Sequence, residues 1–386
     1  MRRRSFLAMG AAGALAVPGF AAGTASAATA GSARPIGGPG GAAPDSLRAL
    51  AAKVGLRIGT ATSPDDLTTP AYAAIVGGQF SLVTPGNDMK WQTVEPVQGQ
   101  FDWSGADNLV NFARQHDQLV RAHTLVWHNQ LPDWLTTGVA NGSISKTQLW
   151  GLLEQHIFTE AERYRGKVWT WDVVNEAFMD GNPSGIDPNR FWMKNLGPDV
   201  FPQAFRWAHE ADPHALLFYN DYNIAGEDGS NAKSDAVYAW LRDMLDQGVP
   251  VHGVGDQGHL DTQYGFSGAL MAKDLQRYAD LGLKVAITEA DVRTFVDAPA
   301  TQVPTDHLSE FAQPFEYSQM LKAALSVPEC ISFTIWGFTD AESWIPGVFT
   351  GEGYALIYDV NLNPKPAYYT LQQDLQLAAF GAPRRR

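Results

Sequence analysis

Eight short runs rich in β-branched and aromatic residues, separated by longer segments of helical period, predict an α/β fold, a single (β/α)8 TIM barrel. Two observations favour this closed barrel over an open doubly wound sheet. No Gly-x-Gly-x-x-Gly turn follows the first run, and polar residues stand at the C-terminal ends of nearly all eight runs rather than at one switch point. In a barrel those ends converge on a single mouth.

The chain opens with an export signal. Residues 1–27 carry Arg2-Arg3-Arg4-Ser5-Phe6-Leu7, then an Ala/Gly-rich apolar run to Phe20, then the small-x-small cleavage site Ala25-Ser26-Ala27. Arg3-Arg4 before Ser5-Phe6-Leu7 matches the twin-arginine form, so the mature protein is expected to be secreted. Residues 28–45, poor in side chains worth burying, read as a flexible Gly/Ala/Pro linker, and residues 46–386 as one barrel domain.

From Ser46 on, the runs expected as strands are Gly55–Thr62, Phe80–Asn87, Leu119–His128, Val168–Ala177, Ala215–Asn223, Val251–His259, Leu283–Val292 and Cys330–Asp340. The amphipathic stretches between them include Ala106–His116, Thr147–Tyr164, Ala232–Leu245, Leu270–Leu281 and Pro314–Leu325, and Ala367–Leu377 closes the chain.

Composition narrows the function. The chain has 386 residues, 45% of them hydrophobic and 18% charged, which suits one large core. An aromatic content of 11% exceeds what packing alone requires, so some rings are expected to face a ligand. The formal charge of −13, more acidic still once the arginines of the leader are removed, disfavours nucleic acid as a partner. One cysteine, Cys330, excludes an intrachain disulfide and thiolate metal clusters. No apolar run after the leader approaches the roughly 18 residues that span a bilayer, so no membrane partner is expected for the mature form.

Two strand ends carry the chemistry. The fourth run ends in Asn175-Glu176 and the seventh in Glu289-Ala290-Asp291. Strands four and seven lie on opposite sides of an eight-stranded barrel, so Glu176 and Glu289 can face each other across the mouth. Cleavage of a glycosidic bond needs such a pair, one carboxylic acid for the leaving oxygen and one carboxylate for the other face of the sugar. A lone glutamate at a strand end is more often a cap or a surface ion pair; two opposed ones among Trp and His shift the balance.

The segments Trp171-Asp-Val-Val-Asn-Glu-Ala177, Ile287-Thr-Glu-Ala-Asp-Val292, His123-Thr-Leu-Val-Trp-His128 and Trp336-Gly-Phe-Thr-Asp-Ala-Glu-Ser-Trp344 resemble glycoside hydrolase family 10, the endo-β-1,4-xylanases. Asn220-Asp-Tyr-Asn223 and Asn363-Pro-Lys-Pro-Ala-Tyr368 extend the match to the end of the chain. The resemblance implies hydrolysis of xylan and xylo-oligosaccharides with retention of configuration, no cofactor and no metal, by a monomer. It makes Glu176 the acid/base and Glu289 the nucleophile, with His259 and Asp291 orienting Glu289. Asn175 takes the position that binds the 2-hydroxyl of the attacked sugar. His123 and Trp127 line the site on the nonreducing side of the cleaved bond, with His128 and Gln130 beside them, and Asn87 and Lys90 hold the next sugar out. Gln257 and His259 are expected to share the inward face of the sixth strand.

Trp336, in the eighth run, and Trp344, after it, offer flat faces to pyranose rings, and Tyr222 is the expected platform for the leaving sugar. A metal reading of His123 and His128 fails on spacing, because residues five apart on a strand face opposite ways. Two other readings stay open: a related retaining glycosidase acting on another β-linked pentoside, glucoside or plant saponin, and a noncatalytic carbohydrate-binding barrel. One departure from the family pattern stands out. Thr84-Pro85-Gly86-Asn87-Asp88-Met89-Lys90-Trp91 has Gly86 where the pattern commonly has Glu. Pro85-Gly86 also suits the centre of a type II turn.

Overall fold

The computed structural model describes residues 42–297 and 302–381. The leader and residues 28–41 of the linker lie outside the described residues. Eight parallel strands form the barrel: β1 Arg57–Thr62, β2 Leu82–Pro85, β3 Leu119–Val126, β4 Thr170–Asn175, β5 Leu216–Asp221, β6 Gly253–Asp256, β7 Lys284–Phe295 and β8 Cys330–Ile335. Each pairs with the next, and β8 returns to β1 through Arg57–Ser332 to Thr60–Ile335, closing the ring.

Helices wrap the outside. The domain starts where expected: the Ser46 side chain accepts from Ala49 N–H at 3.3 Å and caps the helix Leu47–Lys53. Helix Lys146–Arg163 begins with a capping box in which Ser145 and Gln148 satisfy each other's backbone N–H. Its inner face, with Leu149, Leu153 and Ile157, is buried in the single large hydrophobic cluster between helices and strands. The closing helix Pro366–Gly381 packs on Leu47–Lys53, so the ends of the domain meet.

Inside the barrel the packing is partly polar. Arg121 of β3 donates to Asp172 of β4 through two nitrogens, and both are almost fully buried. Strands β5 and β6 approach so closely that a Cβ on Gly253 would lie 2.3 Å from the Phe218 ring, and one on Gly255 would lie 2.4 Å from Asn220 Oδ1. Glycine is required there for lack of space.

Three expectations are corrected. The sixth run is not one strand: β6 stops at Asp256, Gly258 takes φ 73°, and His259–Asp261 is a separate three-residue strand beside β7. The helix expected from Pro314 begins at His307, with Pro314 inside it. Finally, Gly86 has no positive φ, so Pro85-Gly86 does not form a type II turn. Besides these, helices Pro70–Gln79, Asp133–Ala140 and Val200–Ala211 complete the outer layer. Among the described residues, no helix is long and apolar enough to cross a membrane.

Candidate active site

The strands deliver their side chains by ending. Glu176 follows the last residue of β4 with φ 54°, its N–H held by the Asn220 carbonyl at 2.9 Å, and the turn carries the carboxylate into the mouth. There Oε2 accepts from Trp127 Nε1 at 2.9 Å and Oε1 from Gln257 Nε2 at 3.0 Å, with the Asn175 amide at 3.3 Å.

Glu289 stands on β7. Its Oε1 accepts from Asn220 Nδ2 at 2.7 Å, and His259 Nε2 lies 3.4 Å from Oε2. The other face of that imidazole, Nδ1, lies 2.9 Å from Asp291 Oδ2, which also accepts from Trp344 Nε1 at 2.8 Å. The chain Glu289, His259, Asp291 therefore exists as geometry even though His259 reaches it from beyond a strand break.

Amides join the two carboxylates. Asn175 Oδ1 accepts from Asn220 Nδ2 at 2.9 Å and from Gln257 Nε2 at 3.4 Å, while those same amides donate to Glu289 and Glu176 respectively. Thr288 Oγ1 donates to the side-chain Oδ1 of Asn220 at 2.6 Å and so fixes that amide. Asn220 belongs to a motif visible in the sequence, but its role as the bridge between the two glutamates depends on strands 69 residues apart in sequence.

Charge follows this wiring. Burial alone would raise the Glu289 pKa, but the hydrogen bond from His259 and the nearby His123 and His259 rings outweigh it and hold the carboxyl below its usual range. For His259 burial works downward, yet Asp291 and Glu289 prevail and push it up to about 10, so the imidazole is a cation at neutral pH. Glu176 is also lowered against burial, with His128 the largest stabilising charge, followed by bonds from Gln257 and Trp127. His128 itself is pushed down to about 4 by burial and by Arg190. At neutral pH that ring is uncharged, which leaves the bonds from Gln257 and Trp127 as the nearest groups holding Glu176 down.

The outer residues assemble as a second group. Asn87 Oδ1 accepts from Lys90 Nζ at 3.2 Å and Gln130 Nε2 at 3.0 Å, and the Lys90 ammonium lies 4.8 Å from the Trp127 ring and 5.9 Å from Trp336. Burial lowers Lys90 to about 8 despite the two glutamates. His123 Nδ1 is bound to Asp172 at 2.9 Å, and its ring lies edge-on to Trp336 at 5.3 Å. His128 lies 3.4 Å from Arg190, a partner on another element that the sequence did not single out. Tyr222 is half-buried at the end of β5. Trp344 is more than a flat face, since its indole N–H is committed to Asp291. Among the described residues no cluster of His, Cys, Asp and Glu could hold a metal.

With this mouth in view, the comparisons are direct. The Glycosyl hydrolase family 10 profile matches residues 46–374. The chain belongs to glycosyl hydrolase family 10. Endo-1,4-beta-xylanase B of Thermotoga neapolitana is 40% identical over 330 residues, covering 85% of this chain and 90% of that protein. An endo-1,4-beta-xylanase of Agaricus bisporus is 38% identical, covering 83% and 92%. The crystal structure of xylanase 10B from Thermotoga petrophila RKU-1 in complex with xylobiose superposes with a TM-score of 0.79 at 37% identity, covering 86% of this chain and 98% of that one. The family 10 barrel is thus present over almost its full length.

Proposed function

We propose that this chain is a secreted endo-1,4-β-xylanase that cleaves internal bonds of xylan with retention of anomeric configuration. The observation that carries the reading is the amide-bridged pair Glu176 and Glu289 in the mouth of a family 10 barrel. Glu289, kept ionised by His259, attacks the anomeric carbon; Glu176 gives its proton to the leaving oxygen, then takes one from water to hydrolyse the glycosyl-enzyme. The bridge supports retention because carboxyls linked through neighbouring amides suit direct attack, whereas inversion leaves room for a water between them.

On the nonreducing side, His123, Trp127 and Asn175 hold the sugar under attack, with His128 beside the acid, while Asn87, Lys90, Gln130 and Trp336 serve the next sugar and its neighbour. Trp344 steadies Asp291, and Tyr222 receives the leaving sugar. Action as a monomer is part of the same proposal. Export rests on the sequence of residues 1–27 alone. Timed products from xylan, cellulose and aryl xylobioside test the activity, and proton NMR of the first product tests the stereochemistry. Oligosaccharides from xylan and an initial β anomer are expected; monosaccharide alone or an initial α anomer would overturn the reading.

A further inference from the structure

Lys233 is the second residue of helix Ala232–Asp246 and is almost fully buried, 1% exposed. A cation in the first turn of a helix opposes the helix dipole, and an ammonium taken out of water is costly unless paired, so neither helix formation nor burial explains it. Its partners do. Nζ lies 2.9 Å from Asp221 Oδ1, 3.1 Å from Asp180 Oδ1 and 3.6 Å from the centroid of the Tyr222 ring.

These groups come from three separate pieces of chain. Asp180 belongs to the loop after β4, Asp221 and Tyr222 to the end of β5, and Lys233 to the following helix. Asp221 extends the connection. Its Oδ2 accepts from the Tyr219 hydroxyl, and that hydroxyl in turn accepts from Ala177 N–H at 3.2 Å, the peptide immediately after Glu176. One cation thus fixes both the ring on which the leaving sugar would rest and the backbone that aims the acid.

We propose that Lys233 is the positioning residue of the leaving-group half of the site, clamping Tyr222 and the Glu176 turn into one unit. This rests on the roles given above to Glu176 and Tyr222. Buried ion pairs add little to stability compared with apolar packing, but they specify one arrangement, which is the property a general acid needs. Lys233 makes no contact with the nucleophile's partners Asn220, His259 or Asp291 in the bonds described, so its influence falls on one half only.

The test compares two substrates in wild type and Lys233→Met. Xylotetraose needs both a seated leaving sugar and a proton from Glu176; β-xylobiosyl fluoride needs neither, because fluoride leaves unassisted. The expected result is a fall in kcat/KM of about 10- to 100-fold on xylotetraose with less than a twofold change on the fluoride. Equal losses on both, or none on xylotetraose, would overturn the proposal while leaving the glycosidase reading intact. A wild type that cleaves the fluoride but not xylotetraose would overturn that reading and the proposal with it. Should Lys233→Met not fold, Asp180→Asn loosens the same clamp from its more accessible side, and the same split, smaller, is required of it.

Discussion

The carboxylates Glu176 and Glu289 differ in what each loses on substitution. Glu289→Gln removes the only group able to form the glycosyl-enzyme, and turnover should vanish on every substrate. Glu176→Ala should cost about 10²- to 10⁴-fold on xylan, where the leaving oxygen needs a proton. Aryl xylobiosides with good phenolate leaving groups should still form the intermediate, and azide should restore their turnover. Steady-state rates with and without azide check this; equal loss on all substrates without rescue would exchange or void the roles.

Lys90 gives the second residue-scale prediction. The neighbouring Gly86 adds no carboxylate, and Asp88 does not supply one to the mouth, since its oxygen packs where a Cβ on Gly105 would be, 2.2 Å away. With burial holding Lys90 near 8, its ammonium is lost as pH rises through that value. The kcat/KM for aryl xylobioside should therefore fall above pH 8 more steeply than that for aryl xyloside, which does not reach this subsite. A Cβ on Gly86 would meet only Thr62 O, at 3.8 Å, so Gly86→Glu can be accommodated. An added carboxylate favours the cation, so this variant should move the alkaline limb upward and enlarge the gain from xyloside to xylobioside. An unchanged limb in a folded variant would place the new carboxylate out of reach of Lys90.

At the scale of the element, strands are legible from their apolar β-branched runs, and all eight were in the sequence. Their ends were not. Six of the eight expected runs overshoot at the mouth because residues such as Glu176 at φ 54° and Asn223 at φ 56° leave the ladder just after it, whereas the first ends at Thr62 as expected and the seventh continues past Val292 to Phe295. Sequence period reports which residues face inward, and Asn223 is buried while Glu176 is half-buried; only the backbone turn distinguishes them from the ladder. For the same reason Gln257 and His259 were read onto one strand when Gly258 separates them. The site residues were legible through motifs, whereas Arg190 beside His128 and the bridging role of Asn220 depend on contacts between distant strands. Strand β6 supplies a test of that bridge. A methyl group at Gly255 would displace Asn220 from 2.4 Å, so Gly255→Ala should lower activity at least tenfold, beyond the about 1–3 kcal/mol that overpacking removes from stability. Thermal melting alongside kcat separates the two; a full kcat with a lowered Tm would mean Asn220 can move without disturbing Glu289.

At the scale of the whole molecule, stability should vary with pH through groups remote from the mouth. Glu316, on the helix His307–Ser326, is buried with its Oε2 unpaired, and burial together with Asp261 pushes it up to about 8. A carboxyl raised in the folded state keeps its proton there while the unfolded chain releases it. Its contribution is fully present below the ordinary carboxylate range near 4.5 and is lost as pH rises toward 8. Glu316→Gln removes that dependence. The variant should gain about 1–3 kcal/mol relative to wild type at pH 8 and little at pH 4, measured by denaturant melts at both. Equal differences at the two pH values would mean that Glu316 does not titrate in this window.

The meeting of the first and last helices has a further consequence. The Gln372 amide donates to the Asp45 carbonyl at 2.7 Å, across 327 residues of sequence. Because the ring of strands closes independently of where the polypeptide begins, the order of its eight units is a convention of synthesis rather than a condition of folding. A circular permutant that joins Gly381 to Ala43 through a short spacer and opens between Arg165 and Gly166, at an exposed turn ahead of β4, should keep its register and its full set of mouth residues. The end of the barrel opposite the mouth then becomes a place where new ends, tethers or partner domains can be chosen, without any of them facing the sugar.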